Sequence, residues 1–137
     1  MRSPARAELR GVLGDLRPRI VPGTFVFVPV SAPPAGSLWV ALVREDEGLT
    51  AVLPQAAADE LGLAYDYVSV MISLGAGTDL ALVGLTAAVA EALEHDGISC
   101  NIIAGLRHDH IFVPAGRAPE ALAVLGGLGQ TGAEHRE

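Results

Sequence analysis

The strongest constraint on the fold lies in residues 67–128, where the hydrophobic period switches from two to about four and back. Val68, Val70, Ile72 and Leu74 alternate with Tyr67, Ser69, Met71 and Ser73, which predicts a half-buried strand. Residues 75–77 then turn the chain, and Thr78 or Asp79 can cap a helix of about residues 80–95. Leu82, Leu85, Val89 and Leu93 give that helix one buried stripe, and Asp96-Gly97 ends it with glycine placed for a left-handed cap. Residues 98–104 and 109–113 predict two more strands. Pro119 opens a last helix over 120–128, with Leu122, Leu125 and Leu128 inward. The order β-α-β-β-α is one strand short of the ferredoxin-like βαββαβ motif, so the expected class is α+β, an antiparallel sheet with helices packed on one face.

The first half supplies further elements. Ser3-Pro4 starts a short helix carrying Leu9, Val12, Leu13 and Leu16, and Pro22-Gly23 turns into a strand over 24–30. Residues 31–37 form a proline-bearing loop. Strands over 38–44 and 49–53 flank the turn Asp46-Glu47-Gly48, and Pro54 opens a helix over 55–61 that Gly62 stops. This predicts an N-terminal helical segment (1–20), a first lobe (21–66), a second lobe (67–129) and a disordered polar tail (130–137). An edge strand missing from one lobe can be donated by the other. An uncovered edge otherwise favours at least a homodimer.

Composition narrows the function. Sixteen acidic residues face nine basic ones, a formal charge of −7, which argues against nucleic acid and against an anionic membrane surface. The lone Cys100 has no partner for a disulfide and no neighbouring base, and reads as a small core residue. No apolar run approaches the length of a spanning helix or a signal peptide, so the expected compartment is the cytoplasm. Nucleophile elbows, P-loops and dinucleotide fingerprints are absent from the sequence, so the chain is expected to be no enzyme and to need no cofactor.

Five strings stand in order along the chain: Glu47-Gly48-Leu49-Thr50, Val83-Gly84-Leu85-Thr86-Ala87-Ala88-Val89, Gly97-Ile98-Ser99-Cys100-Asn101, Ala104-Gly105, and His108-Asp109-His110-Ile111-Phe112-Val113-Pro114. Together they resemble a family of small bacterial proteins built from tandem ACT domains, related to the ACT lobes of amino-acid sensors. The resemblance covers roughly residues 22–128. It implies ferredoxin-like ACT lobes that bind amino acids or other small effectors at lobe or subunit interfaces. The sequence departs from the family's pattern where its histidine falls on Gly77 and its glutamate on Ala81.

Candidate site residues follow from local chemistry and this resemblance. Free N–H groups at a helix start favour a carboxylate, which singles out Gly77, Thr78, Asp79 and Leu80, with Gly84 allowing close approach. Asp79 could instead cap its own helix, or hold a ligand's amino group. Glu47 and Thr50 either belong to a solvated turn or face the helix start and select a cationic effector group. His108 and His110 share a strand face that Asp109 leaves. A metal there would need a third ligand such as His95 or an acid, and the alternative is that His110 is a satisfied, partly buried residue, so no metal is expected. The two competing functions are a purely structural or oligomerisation module and a small metal-binding enzyme using His108 and His110.

Overall fold

Alternating β-branched residues and well-placed glycines build two compact units, and the computed structural model describes residues 4–36, 39–75 and 83–128 of them. One unit comprises Met1–Val21 together with Met71–Glu137; the other is Pro22–Val70.

In the second of these, the strands β2 (Phe25–Val30), β3 (Ala41–Glu45) and β4 (Gly48–Pro54) lie in the order β3-β4-β2, all antiparallel. Glu45 pairs with Gly48 across a two-residue turn, and Gly48 takes φ 141, where a side chain is disfavoured. The first residues of β5 (Val68–Leu74) extend the sheet beside β2, with Phe25 opposite Ser69. The helix α2 (Gln55–Glu60) closes a core of Val26, Val28, Ala51, Leu53 and Ala58. Gly62 (φ 70) ends α2: its N–H reaches the Asp59 carbonyl and the Leu63 N–H the Ala58 carbonyl, a Schellman cap. A chain of side-chain bonds ties α2 to Thr24, just ahead of β2, and to Tyr65 beyond the helix. Thr24 Oγ1 donates to Gln55 Oε1 (2.6 Å), Gln55 Nε2 to the Tyr65 hydroxyl (2.8 Å), and that hydroxyl to Asp59 (2.6 Å).

The other unit contains α1 (Pro4–Leu13), β1 (Pro18–Ile20), the remainder of β5, α3 (Leu85–His95), β6 (Asn101–Ala104), β7 (Asp109–Pro114) and α4 (Ala118–Gly126). Here β1 pairs antiparallel with β5, Arg19 opposite Ser73, and the neighbours beyond β5 are β7 and then β6. The strand order β1-β5-β7-β6 completes the βαββαβ motif, its last strand supplied from the N-terminal end of the chain. The three-residue Pro18–Ile20 is too short for a periodic signal, so sequence reasoning leaves this strand unfound. It covers a β5 edge that would otherwise be open. The helix α4 packs on β1 and β7, with α3 beside it.

Several expectations are corrected. β5 is buried on both faces rather than half-buried: Ser69 and Ser73 are as covered as Ile72. Each serine is satisfied internally, Ser69 Oγ donating to the Phe25 carbonyl (2.8 Å), which is how polar side chains are tolerated there. The long helix begins at Leu85, not near residue 80. Its N-cap is Gly84 at φ 96 in place of Thr78 or Asp79, and a left-handed residue cannot continue a helix. Leu85, Val89 and Leu93 are its buried stripe, while Leu82 lies outside the described residues. The last helix, which follows a 3₁₀ turn at Ala115–Arg117, buries Ala118, Ala121 and Leu125, while Leu122 and Leu128 are half-buried.

At the far end of α3 the Gly97 cap forms as its sequence predicts, with Gly97 N–H to the Glu94 carbonyl (2.8 Å) and Ile98 N–H to the Leu93 carbonyl (2.9 Å). Arg117 adds a cation to the same helix end. Its guanidinium donates to the carbonyls of Asp96 (3.0 Å) and Gly97 (3.4 Å) while pairing with both oxygens of Glu120.

Candidate functional site

The β3–β4 hairpin tip is where concavity and charge coincide. Pro29, Val30 and Ser31 at the end of β2 and Glu45, Glu47, Gly48, Leu49 and Thr50 of the adjoining hairpin line a cleft of about 600 Å³. The tight register Glu45 opposite Gly48 places Glu45, Asp46 and Glu47 side by side, all exposed. The Thr50 hydroxyl donates to the Glu45 carboxylate. The lining is therefore acidic and hydrogen-bonding beside the apolar pair Val30 and Leu49, a setting suited to an ammonium group attached to a short carbon chain. Glu47 lies in the two-residue turn and Thr50 in β4. Glu45 and Ser31 escaped sequence reasoning, although the hairpin register points to Glu45.

Of the remaining candidates, Gly77, Thr78, Asp79 and Leu80 lie outside the described residues. Gly84 is described: a Cβ placed on it would come within 2.9 Å of Leu9 Cδ2. The close neighbour of this glycine is thus a side chain of α1. Glu47 and Thr50 belong to the unit Pro22–Val70 and Gly84 to the other.

The two histidines are held individually. His110 Nδ1 and Ser73 Oγ are 2.7 Å apart, and His108 Nδ1 donates to the Leu74 carbonyl at 3.0 Å. Burial, the neighbouring His108 and Arg19 together push the His110 imidazole below its ordinary pKa, against the pull of Asp109. Among the described residues no three His, Cys, Asp or Glu side chains come together as a metal site. Burial pushes the Cys100 thiol up, away from the thiolate that a nucleophile requires. No described helix is long and apolar enough to cross a membrane.

An α+β unit of strand order β1-β5-β7-β6 with helices on it is ferredoxin-like, and the chain as a whole resembles known proteins in sequence and fold. The ACT-domain family model matches residues 4–70. A Vibrio cholerae protein of unknown function, described as a possible transport protein, is 37% identical over 89% of this chain and 96% of its own, with a TM-score of 0.78. The chain belongs to the ACT-domain family, whose members are typically regulatory small-molecule-binding domains. Two more distant structures share the fold. One is an Agrobacterium tumefaciens protein, 19% identical over 82% of this chain and 87% of its own, with a TM-score of 0.68. The other is the ligand-free regulatory subunit of aspartate kinase from Thermus thermophilus, 12% identical over 81% and 95%, with a TM-score of 0.59. No curated protein matches the chain.

Proposed function

We propose that this chain is a regulatory module that binds a small effector, an amino acid or similar zwitterion, and carries out no reaction of its own. The observation supporting this reading is the acidic cleft of Glu45, Glu47, Thr50 and Ser31, whose carboxylates suit the effector's ammonium group. Gly77, Thr78, Asp79 and Leu80, with Gly84, remain a proposed carboxylate contact separate from that cleft, resting on the sequence resemblance. The losses at Gly77 and Ala81 would then change selectivity more than binding. The proposed module works in the cytoplasm, as a tandem pair of ACT lobes and at least a dimer, since β3 and β6 are outer strands of their units among the described residues.

Thermal melting in the presence of each common amino acid tests the binding reading. A ligand at a hundred times its Kd adds about 2.7 kcal/mol of stability. Glu47→Gln should erase most of the shift produced by the best ligand. A panel in which no amino acid raises the melting temperature sinks the proposal. That outcome would favour the structural-module reading, which draws on Leu9 filling the space beside Gly84.

A further inference from the structure

We propose that the sheet face bearing Arg19, Ser73, His108 and His110 is a binding site for a small carboxylate monoanion. The inference deepens the effector reading and rests on it for the class of ligand.

The placement comes from register. Arg19 of β1 stands directly opposite Ser73 of β5, and Ser73 Oγ meets His110 Nδ1 of β7 at 2.7 Å. Three neighbouring strands thus put an arginine, a serine and a histidine in one row on one face. His108 joins them from the β6–β7 turn and is anchored at two points: its Nδ1 donates to the Leu74 carbonyl (3.0 Å), and its own carbonyl accepts the Gly105 N–H (2.9 Å). A carbonyl only accepts, so Nδ1 of His108 carries the proton in that bond. Ser73 is fully buried, so its hydroxyl serves to orient the His110 ring and is itself a positioning group.

The charge on this face is out of keeping with the chain. In a protein of net charge −7, Arg19 makes no ion pair among the described residues. The neighbouring Asp15 is already paired with Arg17 at 3.2 Å. Asp109, next to both histidines in sequence, projects to the opposite face by strand alternation and is buried. Burial first, then His108 and Arg19, disfavour a charge on His110, against the pull of Asp109 from the other face. Among the four residues of this row Arg19 is the permanent cation, and its planar fork suits a carboxylate held by two parallel bonds. One cation beside a neutral imidazole matches a monoanion better than a phosphate dianion.

The test is NMR on the full chain, following the ring signals of His110 during titration with sodium acetate against sodium chloride at matched ionic strength, with His95 as the exposed control. Acetate should move the His110 signals, leave those of His95 in place, and raise the pH at which His110 titrates, because a bound anion favours the imidazolium. Arg19→Gln, an exposed substitution, should weaken acetate binding about tenfold or more. The inference is overturned if acetate acts no more strongly than chloride, if Arg19→Gln leaves acetate binding intact, or if inorganic phosphate binds more tightly than acetate. Its failure is separable from that of the effector reading. Acetate binding that depends on Arg19, with no response to any amino acid, leaves the site standing and removes the effector. An amino acid that stabilises the protein without moving His110 does the reverse.

Discussion

Replacing Gly84 with alanine isolates a single residue on which the start of the long helix depends. Gly84 has φ 96, a region that costs an L-residue about 1–2 kcal/mol. The added methyl would also meet Leu9 Cδ2 at 2.9 Å, which is too close, but that atom ends a flexible side chain that can swing away. Most of the penalty should therefore be conformational and only a small part steric. For a chain of this size, each kcal/mol moves the melting temperature by about 3–4 °C. Gly84→Ala should lower the midpoint by roughly 3–8 °C on that scale. Measured by urea denaturation as well, the loss should persist when Leu9 is also replaced by alanine, since the double variant removes the clash and keeps the strained φ. A Gly84→Ala cost that vanishes in the Leu9→Ala background would refute the reasoning, because the penalty would then be contact alone.

Three further outcomes are expected. Leu93→Ala, at a fully buried position of the α3 stripe, should cost about 2–5 kcal/mol in urea unfolding. His110 titrates lower when folded than when unfolded, so the unfolded chain binds the extra proton first. Stability that is present above about pH 6.5 should thus be lost as pH falls through the folded value, and His110→Gln should flatten that part of a stability–pH profile. Arg117→Lys should lose about 0.5–1.5 kcal/mol in thermal melts, little less than Arg117→Ala, because an ammonium cannot reproduce the fork joining Glu120 to the Asp96 carbonyl.

What could be read from the sequence is what local pattern encodes. The Gly62 and Gly97 caps and the tip at Asp46-Glu47 all follow from residue type and spacing, and the structure has each of them. The burial of Ser69 and Ser73 was not legible: alternation predicts a wet face, and only the long-range partners Phe25 and His110 make a dry one possible. The start of α3 was missed for a related reason. Leu82 fits the helical stripe by spacing, but a periodic argument is blind to the backbone sign at Gly84. In the candidate site, Glu47 and Thr50 announce themselves as a charged turn, whereas Arg19 is an unremarkable surface arginine until β1 pairs it with Ser73.

The donation of β1 to β5 also sets a timetable for biosynthesis. Chains emerge from the ribosome N-terminus first and fold in the units that become available. Pro22–Val70 contains all the residues of its own core and can condense as soon as it has been made. Arg19 and Ile20, translated earlier, cannot pair until Ser73 and Ile72 have been added, and the strands flanking β5 are closed only when β7 follows. The strand β1, made well before its partner, therefore waits to find its place, and during that interval its edge is open to any other nascent strand. Brevity protects it: three residues beginning with proline offer a poor template for aggregation.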